Sequence, residues 1–261
     1  MNIDVILRTH DVSEIHPKND NKRYCDHSKT DVIKKCVNSL VKTCNRSTHN
    51  IRIIWIDDHS SETSLANLKN IFSTSNHEVI QKPLTDSTGH NASALVQFTE
   101  CKNSTADLVY NVEDDYLHDD DCMNEMVDTY IRFKEKFNVE VAIHPFDDPD
   151  NYKDELVEPN DMFCRILLGS KRHWRTNTYT TYTFLTNPKV VRDNWQIFYK
   201  LARLYLTPLG FANNINESST INKIWKNQVC LFTPIPSLAL HMQYEQQKDK
   251  FIDWKLWWDK N

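Results

Sequence analysis

Apolar and polar positions follow two periods along the first half of the chain. Residues 3–9, IDVILRT, form a short β-branched run that predicts a buried strand. Residues 28–44 place Val32, Ile33, Cys36, Val37, Leu40 and Val41 on one helical face, with Ser28 or Thr30 as cap. Residues 51–57, IRIIWID, predict a second buried strand, and 61–73 a capped helix. A weaker strand at 77–82, a helix at 91–102, a strand at 106–113, a helix at 120–137 and a strand at 139–146 complete the series. Strand–helix alternation of this kind predicts an α/β fold, a mostly parallel sheet with helices on both faces.

Beyond about residue 150 the pattern loosens. A Thr/Tyr-rich strand is expected at 178–185, an amphipathic helix at 190–205 and another at 217–227. A strand broken by Pro234 and Pro236 follows, then an aromatic tail holding Trp254, Trp257 and Trp258. With no repeat and no clean linker, the chain reads as a single domain over 1–261.

In parallel α/β sheets, ligands bind outside the carboxyl ends of the strands. Three polar clusters fall there: RTHD (8–11), DDHSS (57–61) and EDDY (113–116). The acidic residues of 113–121 would repel one another unless solvated as a loop or gathered around a cation. Hard divalent ions such as Mg²⁺ or Mn²⁺ take carboxylate oxygens and keep water or substrate phosphate in their shell. Residues two apart in a strand point the same way, so Glu113 and Asp115 are expected to face one cation and Asp114 to point elsewhere. Asp119, Asp120 and Asp121 precede a helix and suit its positive N-terminus.

Composition narrows the classes. Hydrophobic residues make up 39% and charged residues 26%, ordinary for a globular protein. The net charge of −5 gives no general drive toward nucleic acid or anionic membranes. Seven cysteines without a C-x-x-C pair predict reduced thiols. No run approaches the roughly 18 apolar residues of a membrane span, and no cationic leader opens the chain. No transmembrane segment and a cytoplasmic location are therefore expected, the cell being taken as bacterial or virus-infected on the family resemblance given next.

IIWIDDHSSETS resembles the vvDDgStDgT segment of GT-A glycosyltransferases of the family 2 type. VILRTHD resembles their first strand, GHNASAL (89–95) their Gly/Asn/Ala helix start, and VYNVEDDY falls where they carry D-x-D. The four segments agree in order and spacing over about the first 145 residues. Two departures stand out: Glu113 takes the place of the usual first Asp, and RTH replaces the usual Pro-Thr-Tyr.

The resemblance implies a GT-A fold, with a nucleotide-sugar-binding half over 1–150 and an acceptor-binding half over 151–261. It implies a nucleotide-diphosphosugar donor, a UDP-sugar being favoured, and Mn²⁺ or Mg²⁺ as cofactor. Arg8, Thr9 and Asp11 would lie near the base, Asp57 or Asp58 would bond the base or ribose, and Asn91 would open the helix beside them. Glu113 or Asp114 would touch the ribose or a metal-bound water. Asp115 would ligate the metal, with Glu113 and a late histidine, His241, as further ligands. Glu217 fits the place of the general base in inverting members, with Asp148 or Asp147 as alternative carboxylates. Lys171, Arg172 and Arg175 could hold the diphosphate and Trp174 stack on a ring, or the stretch could be an ordinary basic loop. The acceptor could be a saccharide or another hydroxyl; a viral enzyme acting on hydroxymethylated DNA bases and a non-catalytic nucleotide-binding module are the competing readings.

Overall fold

Strands buried on both faces can satisfy their backbone groups only by pairing, and the apolar runs of the first half do so in parallel. The computed structural model describes residues 1–11, 24–84, 89–152, 164–203, 217–244 and 248–261. The first half comprises β1 (Asn2–Thr9), α1 (Lys29–Asn45), β2 (Asn50–Asp57), α2 (Glu62–Phe72), β3 (Glu78–Pro83), α3 (His90–Asn103) and β4 (Leu108–Glu113). Then come β5 (Tyr116–His118), α4 (Cys122–Phe137) and β6 (Val141–Ile143). Ser28 and Ser61 cap α1 and α2 by accepting from the amides of Asp31 and Ser64.

The second half adds β7 (Ile166–Leu168), β8 (His173–Asn177), β9 (Phe184–Thr186), α5 (Pro188–Asp193), α6 (Trp195–Arg203), α7 (Asn222–Asn227), β10 (Cys230–Ile235), β11 (Ala239–His241) and α8 (Trp254–Asp259). One nine-stranded sheet runs β3-β2-β1-β4-β9-β6-β10-β8-β7, taking strands from both halves. β1, β2, β3 and β4 pair in parallel, β6 pairs in parallel with β10, and β8 and β9 run against their neighbours.

Alternation along β1 divides the core. Ile3, Val5 and Leu7 pack against α1, α2 and α4, whereas Ile6 packs with Phe98 of α3, Phe198 of α6 and Trp225 of α7. A third cluster seats Trp258 of the tail on Val32 and Cys36 of α1. Among the described residues, no helix is long and apolar enough to cross a membrane.

Two expected elements differ, and one element is additional. The strand expected over 178–185 shrinks to Phe184–Thr186 because Asn177 ends β8, its side-chain oxygen accepting from the amides of Thr178 and Tyr179. The helix expected over 190–205 breaks at Asn194, whose side chain donates to Val190 O while its own carbonyl accepts from Ile197 N. The short strand β5 inside the acidic stretch was not expected; it forms a two-stranded sheet with β11, which brings His241 alongside Tyr116.

Candidate active site

Register places the polar clusters side by side. Thr9 pairs with Asp57 across β1 and β2, and Arg8 pairs with Glu113 across β1 and β4. The strand β4 ends at Glu113, so Asp114 and Asp115 lie in a turn and strand alternation does not govern them. Their side chains therefore diverge in a way the sequence pattern did not predict.

Glu113 turns to Arg8, with 2.9 Å between Oε1 and Nη2. Arg8 also donates to the His90 carbonyl at 2.9 Å and sits 3.2 Å from His90 Nδ1. The guanidinium, reinforced by burial, holds His90 neutral with a pKa of about 3. Burial raises the pKa of Glu113 and outweighs the opposing pull of Arg8. Asp114 accepts from the His10 amide at 2.8 Å. Its pKa is likewise raised by burial, against the pull of Lys29.

Asp115 faces His241, with 3.4 Å between Oδ2 and Nε2. Burial alone would raise the Asp115 pKa and lower that of His241; their mutual attraction reverses both shifts. The His241 ring stacks on Tyr116 at 4.7 Å, and the Tyr116 hydroxyl meets Thr181 Oγ1 at 2.9 Å. Asp115 Oδ1 and His241 Nδ1 are buried without a hydrogen-bond partner. Among the described residues, no group of three or more His, Cys, Asp or Glu side chains is gathered to hold a metal. Glu113, expected to share the cation with Asp115, is occupied by Arg8. A hard cation bound together with a diphosphate needs only one or two protein groups, and an unsatisfied carboxylate oxygen beside an imidazole fits that requirement.

Next to these acids lies a cavity of about 250 Å³, lined by Arg8, His10, Lys29, Asp58, Gly89, His90, Ser93 and Asp114. Asp58 closes one wall, both its carboxylate oxygens accepting from Gly89 N at 2.9 and 3.1 Å. Gly89 permits this with φ +99° and ψ 167°, a region nearly reserved for glycine. His59, at φ +57°, turns the chain after Asp58. Thus Arg8, Asp58 and Asp114 of the expected donor residues line the cavity.

Others are scaffold. Thr9 accepts from Trp55 Nε1 at 2.8 Å and donates to Asp57 at 2.9 Å, and Asp57 also accepts from Ser60 N. Asp11 accepts from the amide and hydroxyl of Ser61 and from the Ser64 hydroxyl; these bonds overcome burial and hold its carboxyl below the ordinary range. Asn91 sits in the first turn of α3, its buried Oδ1 without a partner, outside the cavity lining.

The basic stretch is not gathered on the cavity. Trp174 is 0% exposed and belongs to the core. Lys171 pairs with Asp121, Arg172 with Glu125 at 2.8 Å, and Arg175 with Asp147 at 3.3 Å. Asp148 caps a short 3-10 turn through the Asp150 amide, and burial raises its pKa. Glu217 is half-buried in the turn before α7. At the start of α7, Asn222 Oδ1 accepts from Thr180 N at 3.0 Å, and Thr183 Oγ1 accepts from Glu113 N at 3.2 Å.

His10, Lys29 and Ser93 had no expected role. Lys29 carried a signal: a lysine at the first position of a helix opposes the macrodipole.

No curated protein sequence matches the chain significantly. Among solved structures, TarS of S. aureus is similar with a TM-score of 0.50 at 16% identity, covering 89% of this chain and 36% of that one. Residues 1–349 of TarS in complex with UDP-GlcNAc give 0.49 at 14% identity, covering 89% of this chain and 58% of that one. The mannosyltransferase PcManGT from Pyrobaculum calidifontis, in complex with GDP-Man and Mn²⁺, gives 0.47 at 12%, covering 88% of this chain and 56% of that one. The chain thus spans little more than a third of the length of TarS. The model of glycosyl transferase family 2 matches residues 27–195, more than half of the chain and the stretch that carries Asp58, Gly89 and the Glu113–Asp115 acids. By that match the chain belongs to glycosyl transferase family 2.

Proposed function

We propose that the chain transfers a sugar from a nucleotide-diphosphosugar, a UDP-sugar first, to an acceptor hydroxyl with inversion at the anomeric carbon. The observation that supports this best is the cavity walled by Arg8, Lys29, Asp58 and His90, which opens beside the Asp115–His241 pair. Asp58 and Asp114 offer acceptors to the ribose and base, and Arg8 and Lys29 supply positive charge. Asp115 and His241 would hold Mn²⁺ or Mg²⁺, which when bound neutralises the departing diphosphate.

Glu217 takes the proton of the acceptor hydroxyl. The hydroxyl oxygen forms a bond to the anomeric carbon as that carbon's bond to the diphosphate oxygen breaks, and the electron pair leaves with the nucleoside diphosphate. Asp148, on the His241 side, is the alternative base. The half over 1–150 would hold the donor and 151–261 the acceptor.

The test is turnover of a nucleotide-sugar panel with Mn²⁺, with the product anomer read by NMR. Glu217→Gln is expected to lower kcat about 100-fold or more with donor KM unchanged. A loss confined to Asp148→Asn would transfer the role to Asp148. Product retaining the donor's anomeric configuration would sink the inverting mechanism.

A further inference from the structure

A second cavity, of about 180 Å³, is lined by Asp147, Pro149, Tyr152, Asp249, Lys250 and Phe251. It is of the order of the cavity of about 150 Å³ that takes one benzene ring, a space for a single sugar ring. Its position is set by the segments leading to His241. Leu238 N and Ala239 N donate to Pro145 O, and Asp147 N donates to Ser237 Oγ at 2.9 Å. Phe146, beside Asp147, lies 6.1 Å from the His241 ring. A group in this cavity is therefore next to the place where a donor's diphosphate would be held.

The walls are already built. Arg175 lies against the Tyr152 ring, 4.3 Å from its centroid, and Tyr152 donates its hydroxyl to Asp147 Oδ2. Phe251 stands 5.7 Å from Tyr152 at 61° and is 66% exposed, so an aromatic face is offered at the mouth. Asp249 is buried and fixed by the amides of Phe251 at 2.7 Å and Ser237 at 3.4 Å. Ionised carboxylates only accept, and each has about four lone-pair sites, so Asp147 and Asp249 retain capacity for O–H donors. The lining sets two carboxylates against Lys250, and Arg175 is already paired with Asp147, so the cavity offers no surplus of positive charge to a phosphate. Aromatic faces combined with fixed acceptors suit a ring with apolar C–H faces and hydroxyl edges.

We propose that this cavity is the acceptor subsite and that it takes the neutral pyranose ring of a saccharide, seated against Tyr152 and Phe251 with hydroxyls donated to Asp147 and Asp249. This rests on the glycosyl-transfer reading above. It separates a saccharide acceptor from a nucleic-acid one. The residues already hold one another, so little ordering opposes binding.

Saturation-transfer NMR on the full chain, with methyl glucoside, galactoside, mannoside and N-acetylglucosaminide as probes, tests it. At least one pyranoside should receive saturation, and Phe251→Ala and Asp249→Asn should each weaken that binding about tenfold. UDP affinity should change by less than about twofold in both variants, because neither residue lines the donor cavity. Phe251 is mostly exposed, so its alanine variant keeps the fold even if Asp249→Asn does not. Saturation of no pyranoside, or binding that survives Phe251→Ala, overturns the proposal; so does pyranoside binding displaced by short single-stranded DNA. Failure of UDP to bind the wild-type chain would instead count against the donor reading and leave the pyranoside result to stand by itself.

Discussion

Glu113→Gln isolates the most unusual contact at the strand ends. The side chains of Arg8 and Glu113 are 9% and 15% exposed and meet at 2.9 Å. Glutamine keeps the shape and an acceptor oxygen but removes the charge, leaving the Arg8 cation buried against the neutral His90. Removing one partner of a buried pair costs about 3–5 kcal/mol. Burial already disfavours the Glu113 carboxylate more than Arg8 favours it, and Arg8 keeps the His90 carbonyl, so the expected cost is at the low end, about 3 kcal/mol. For a chain of this size that lowers Tm by about 6–12 °C. Arg8→Gln combined with Glu113→Gln removes both charges and should recover at least about 1 kcal/mol of the summed single losses. Urea denaturation of the wild type, both single variants and the double variant gives all four energies. A Glu113→Gln loss below about 0.5 kcal/mol with no coupling, the behaviour of an exposed pair, would refute the reasoning.

Gly89→Ala places an L side chain at φ +99°, ψ 167° and should cost about 1–3 kcal/mol in urea unfolding while weakening UDP binding through the displaced Asp58. An unchanged midpoint would mean that the turn relaxes freely. Lys29→Ala removes a cation from the donor cavity, so calorimetry should show UDP binding about tenfold weaker. Equal UDP affinity would exclude Lys29 from the site. His118 and His144 are buried and held neutral by that burial, with pKa about 3 against an ordinary 6.5. Below pH 6.5 the unfolded chain binds protons that the folded chain refuses, so stability should fall by about 1.4 kcal/mol per pH unit for each histidine, down to about pH 3. A urea midpoint that stays flat between about pH 7 and pH 5 would contradict their burial in the neutral form.

Where burial and period coincide, the sequence was legible. Val32, Ile33, Cys36, Val37, Leu40 and Val41 all face the core of α1, and β1, β2 and β4 deliver RTHD, DDHSS and EDDY to one edge. The turn at Asp114–Asp115 was not legible, because its course depends on β5 pairing with β11, far away in sequence. Alternation assumed a continuing strand and so gave Glu113 to a cation rather than to Arg8. Trp174 sat among basic residues and read as a surface platform. It is core because Gly169 leaves room for it: a methyl there would lie 2.2 Å from Trp174 Nε1. The second cavity escaped because Tyr152 and Phe251 stand about a hundred residues apart and meet only in the fold.

The central claim is that the edge formed by Asp58, Arg8 and Asp115 holds a nucleoside diphosphate through a divalent cation. Calorimetric titration of UDP into the chain, with and without Mn²⁺, tests it most directly when Asp115→Asn is titrated alongside. The account predicts binding that strengthens about tenfold or more with Mn²⁺ in the wild type and loses that gain in Asp115→Asn. UDP binding of equal strength with and without Mn²⁺, or a gain that Asp115→Asn retains, would contradict it.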